Sequence, residues 1–103
     1  MRTDCTTPQE IAADIAKDLR KDPSRWGKYE TYRNGDPNSP CCLVGQIAAR
    51  SRIFEDGPAL HIQTADMFRE ILDDNGLTGW NDKSERTVED VIAVCDKVAT
   101  HAN

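Results

Sequence analysis

No apolar run in the 103-residue chain approaches the roughly 18 residues that a membrane-spanning helix needs. The stretch Met1 to Gln9 also lacks the apolar centre of a signal peptide, which points to a cytoplasmic location. Histidine is scarce: His61 and His101 are the only two, and they lie far apart. No Cys-x-x-Cys pair, phosphate-cradling glycine loop, calcium-loop spacing of carboxylates or catalytic-triad spacing is present, so neither a metal nor a cofactor is expected. The four cysteines, Cys5, Cys41, Cys42 and Cys95, read as reduced thiols, because two of them are adjacent and no secretory leader accompanies them.

The hydrophobic share of 38% and mean hydropathy of -0.66 describe a polar chain that still holds enough apolar side chains for one core. A single domain over residues 1–103 is expected, with residues 1–6 flexible. Charge is uneven. Residues 1–52 carry 9 basic and 7 acidic side chains, whereas residues 53–103 carry 4 and 11. An acidic half repels phosphate backbones at long range and favours a basic partner.

Hydrophobic periodicity predicts an all-α fold, a compact bundle of about four helices. The first starts at Thr7-Pro8-Gln9-Glu10, where Thr7 caps, Pro8 suits the first turn and Glu10 closes a capping box, and it runs to about Lys21. Ile11, Ile15 and Leu19 form its inner stripe, and Asp14, Lys17, Asp18 and Lys21 are assigned mostly to the wet faces. Asp22-Pro23 ends it, and Trp26 follows as an anchor. Residues 27–40 form a long irregular loop that admits a short hairpin at Asn34-Gly35.

Ser39-Pro40 opens the second helix, from about Cys41 to Arg52, with Cys41, Val44, Ile47 and Ala48 facing inward. Gly45, inside that helix, marks a close approach by a ring or backbone, so Trp26, Gly45 and Trp80 are expected to meet as structural residues. The third helix, after Asp56-Gly57-Pro58, carries Leu60, Thr64, Met67, Phe68, Ile71 and Leu72 and ends with Gly76 as a left-handed cap. Trp80-Asn81-Asp82 falls between the third and fourth helices. The fourth starts at Thr87, boxed by Asp90, and presents Val91, Val94 or Cys95, and Val98 to about Thr100.

Trp26, Cys42-Leu43-Val44-Gly45, Trp80-Asn81-Asp82 and Arg86-Thr87-Val88-Glu89-Asp90-Val91 occur in an order that resembles a family of small actinobacterial and actinophage proteins of unknown function. The resemblance spans roughly residues 8 to 100 and implies no activity. Gln46 stands where that family usually has Ala, and Cys41 falls outside the shared pattern.

Trp80, Asn81, Asp82 and Arg86 have two readings. In one, the indole fills the core and the polar groups tie loops and caps; in the other, they converge as a ligand or peptide pocket. Cys42, at a helix start, is a candidate reactive thiol, against which stands the preference of cysteine for buried positions. Lys17 to Arg33, with Trp26, Tyr29 and Tyr32 between its cations, is a candidate nucleic-acid surface. Asp73 and Asp74 belong to an acidic surface with Asp66, Glu70, Asp82, Glu85 and Glu89. The preferred reading is an acidic binding module, a phage accessory protein that engages a bacterial host protein, with self-association left open. A thiol-dependent or small-ligand enzyme around Cys42 and Trp80 is the first alternative, and a nucleic-acid binder the second.

Overall fold

The computed structural model describes Arg2, residues 4–28 and residues 40–102. Among these the chain is all-α: α1 (Pro8–Lys21), a 3₁₀ turn (Pro23–Arg25), α2 (Leu43–Ser51), α3 (Ile53–Asp56), α4 (Ala59–Leu72), α5 (Leu77–Asp82) and α6 (Val88–Ala99). The four longer helices are the expected bundle. The expected cap at Ser39 and hairpin at Asn34-Gly35 lie outside the described residues.

Thr7 caps α1 as expected, its hydroxyl accepting from the Glu10 amide with Pro8 in the first turn, but Glu10 reaches the Thr6 amide in place of the Thr7 amide that the expected capping box would use. The Glu10 carboxylate accepts from the Thr6 amide and hydroxyl and meets Arg2, and these contacts hold its pKa down to about 2. Thr87 and Asp90 form a reciprocal capping box at α6. Ile11, Ile15 and Leu19 of α1 pack with Val91, Val94, Cys95 and Val98 of α6, and Leu43, Ile47, Phe68, Leu77 and Trp80 complete the core.

Three expectations need correction. The second helix starts at Leu43, two residues later than its pattern suggests, because Cys41 is held in extended backbone: its amide donates to the Arg25 carbonyl at 3.1 Å, and its carbonyl accepts from the Gly27 amide at 3.1 Å. The left-handed residue ending α4 is Asp73 (φ 51°), a residue type whose short polar side chain tolerates that region, and Gly76 instead precedes α5. Trp80-Asn81-Asp82 accordingly forms part of a helix.

The third correction concerns polarity. Asp14, assigned to a wet face, is buried at 8% exposure, and Arg50 is buried at 2%. The Arg50 guanidinium donates from Nε to Asp14 Oδ2 at 2.7 Å, from Nη2 to Asp18 Oδ2 at 2.6 Å, and from Nη1 to the carbonyl and side-chain oxygens of Gln46 at 3.0 and 2.9 Å. Removing one partner of such a pair leaves an uncompensated buried charge. Arg50→Met should therefore lower stability by about 3–5 kcal/mol in urea unfolding, and adding Asp14→Asn should recover part of that loss.

Candidate functional site

Asn81 is the focus of the residues singled out by the sequence. It lies fully buried in α5, and its Oδ1 accepts from the Trp26 indole Nε1 at 2.7 Å and from the Leu43 amide at 3.1 Å. Its Nδ2 donates to the Gly27 carbonyl at 3.1 Å and to Asp82 Oδ1 at 3.0 Å. The Leu43 amide belongs to the first turn of α2, which has no side-chain cap of its own, so Asn81 caps that helix from 38 residues away. Gly45 is buried two residues further along α2, the helix that packs against α5.

Trp80 is buried against the core, and the Arg86 guanidinium stacks 4.0 Å from its ring centroid. Arg86 Nε also donates to the Trp80 carbonyl at 2.9 Å, and Nη1 stands 3.7 Å from the Asp90 carboxylate. Trp80, Asn81, Asp82, Arg86 and Trp26 are thus brought together, with Asn81 turned inward to backbone and indole groups. Asp73 and Asp74 lie at the other end of the α5 approach, where Asp74 Oδ1 accepts from the Gly76 amide at 2.9 Å.

Cys5, Cys41, Cys42 and Cys95 are all buried, and no disulfide joins them. Burial pushes the Cys5 and Cys95 thiols above their ordinary pKa, the reverse of what a nucleophile needs. Cys42 is the residue immediately before α2, and no hydrogen bond joins it to either histidine. His61, on α4, is half-buried with an inaccessible, unpaired Nδ1; burial, then the Arg69 charge, lowers its pKa. Among the described residues no three His, Cys, Asp or Glu side chains group as metal ligands.

The basic segment is mixed in its commitments. Arg20 pairs with Asp96, and Lys28 Nζ donates to the Ser84 carbonyl at 3.1 Å while lying 5.9 Å from the Trp26 ring centroid. Lys21 and Arg25 share a cleft of about 380 Å³ with Asp18 and Asp22. Tyr29, Tyr32 and Arg33 lie outside the described residues.

The sequence reading overlooked Arg50, Phe54 and Ile62, and marked Gln46 only as a departure from the family pattern. Gln46 Nε2 donates to the Arg25 carbonyl at 2.8 Å and the Cys41 carbonyl at 3.3 Å, continuing the polar chain that starts at Asp14. A signal for Arg50 existed, since it falls three residues after Ile47 and seven after Leu43, on the inner stripe of α2. Asn81→Ala should strand the Trp26 and Leu43 donors, lowering stability by at least about 2 kcal/mol and shifting tryptophan emission toward the red. In the intact chain, thiol reagents should modify Cys42 slowly in buffer and quickly in denaturant; rapid stoichiometric labelling of native Cys42 would point instead to a working thiol.

No helix among the described residues is long and apolar enough to cross a membrane. No curated protein and no solved structure matches the chain. Residues 4–101, which include every element from α1 to α6, match the model of a family of unknown function, and the chain therefore belongs to that family, DUF6197.

Proposed function

We propose that the chain is a binding module whose acidic second half engages a basic protein. One observation carries this reading: the acidic excess of residues 53–103 is displayed and only partly neutralised. Asp66, Glu70, Asp73, Glu85 and Glu89 are exposed, while of the eleven acids in that half Asp56, Asp66, Asp90 and Asp96 pair with Arg52, Arg69, Arg86 and Arg20. Such a surface steers a positively charged partner and repels nucleic acid. The resemblance to actinophage proteins supports a phage accessory role, with a bacterial host protein as the partner.

The test reverses charge on opposite halves. In pull-downs from an actinobacterial lysate the chain should retain a basic protein, less of it as salt rises. With that protein purified, Asp73→Lys combined with Asp74→Lys should slow association about tenfold at low salt and flatten its salt dependence. Arg25→Glu with Lys28→Glu should leave association unchanged. Tight, salt-sensitive binding of single-stranded DNA or RNA, abolished by the Arg25 and Lys28 changes, would overturn the reading.

A further inference from the structure

We propose that the cleft at the end of α1 binds a zwitterionic small molecule, an α-amino acid, meeting its carboxylate with Arg25 and Lys21 and its ammonium with Asp22 and Asp18. The inference is independent of the acidic surface of the second half and adds a site in the first. The cleft has a volume of about 380 Å³ and is lined by Asp18, Lys21, Asp22 and Arg25. That volume falls within the roughly 300–1,000 Å³ of small-ligand sites, but every lining side chain is charged, so the ligand must be charged as well.

The two cations are the unsatisfied members. Among the described residues neither Lys21 nor Arg25 makes an ion pair or a side-chain hydrogen bond, although two carboxylates line the same cleft. Those carboxylates are fixed by other contacts. Asp18 Oδ2 accepts from the buried Arg50 guanidinium at 2.6 Å, and Asp22 Oδ1 accepts from the Ser24 amide and hydroxyl at 3.2 and 2.5 Å. A carboxylate has about four acceptor positions, so the bonds that orient Asp22 leave capacity at Oδ2. The backbone of Arg25 is pinned from both sides: its amide donates to the Asp22 carbonyl at 3.1 Å, and its carbonyl accepts from the Cys41 amide at 3.1 Å and Gln46 Nε2 at 2.8 Å. This half-buried residue thus offers its planar guanidinium fork from a fixed turn, a geometry that suits a carboxylate.

Charge chooses the ligand. The formal charges of the four lining side chains cancel, so a simple anion drawn to Arg25 and Lys21 is opposed by Asp18 and Asp22, and a phosphate backbone is opposed for the same reason. A simple cation meets the reverse. A molecule that carries both charges a few atoms apart escapes the opposition, because each end meets the complementary pair. The carbonyl end of α1 adds partial negative charge on the ammonium side.

The probes are the standard L-amino acids, titrated singly to about 1 mM into the isotopically labelled full chain. At least one should shift the amides of residues 18–25 saturably. Its N-acetylated form and its carboxamide, each with one charge removed, should not. Arg25→Gln should weaken binding about tenfold or more, the loss of one charge-assisted contact. Asp22→Asn should do the same, and it is preferred to a change at Asp18 because asparagine keeps the oxygen that caps the turn while the Arg50 pair stays intact. Both variants should melt as the wild type does, and Lys21→Gln, on an exposed side chain, repeats the test without touching the turn. No shift from any amino acid, shifts centred elsewhere, or unchanged affinity in the Arg25→Gln and Lys21→Gln variants would overturn the site. Equal shifts of residues 18–25 by inorganic phosphate or by the N-acetylated form would overturn it too, since the cleft would then recognise negative charge alone.

Discussion

The guanidinium of Arg50 is buried between α1 and α2, and the groups around it are arranged to keep that charge satisfied. Desolvating a guanidinium is costly unless its donors are used, and here Asp14, Asp18 and Gln46 take Nε, Nη2 and Nη1. Asp14 Oδ2 also accepts the Arg2 amide at 2.9 Å, which fastens Arg2 to α1. In the other direction Gln46 reaches the carbonyls of Arg25 and Cys41, so the polar chain continues into the segment that bridges α1 and α2. A network of this kind is directional where hydrophobic contact is not, and it ties α2 to α1 through Asp14 and Asp18.

Asn81 extends the same principle to the opposite edge. The backbone pairing of Cys41 with Arg25 and Gly27 delays the start of α2 and leaves the Leu43 amide without a local cap. Asn81 supplies that cap from α5 while holding the Trp26 indole and the Gly27 carbonyl. The asparagine side chain has two acceptor sites and two donors, and four partners engage them. The polar residues that stand out in the motif Trp80-Asn81-Asp82 are therefore built into the joint between α2, α5 and the Trp26 segment.

Much of this was written locally. The caps at Thr7 and Thr87, the stripes of α1, α4 and α6, the break at Gly57-Pro58 and the acidic bias of residues 53–103 all follow from side chains within a few positions of one another. The buried ion pair was half legible. Asp14 stands three residues from Ile11 and Arg50 seven from Leu43, so each falls on an inner stripe, whereas Asp18, seven from Ile11, is only half-buried. Helical spacing marks such positions as buried but says nothing about which opposite charge will face them, because that pairing joins residues 36 apart.

What the sequence by itself determined is the set of helices, their apolar faces and the sign of the surface charge, since these depend on short-range periodicity, capping and composition. Only the tertiary structure decided that Asn81 caps α2, that Arg50 lies inside rather than out, and that Phe54 projects into solvent. The reason is the same in each case. A hydrogen-bond donor, a buried charge or an apolar ring finds its environment through groups brought close by the packing of distant segments, and a residue's own neighbours in the chain do not specify them.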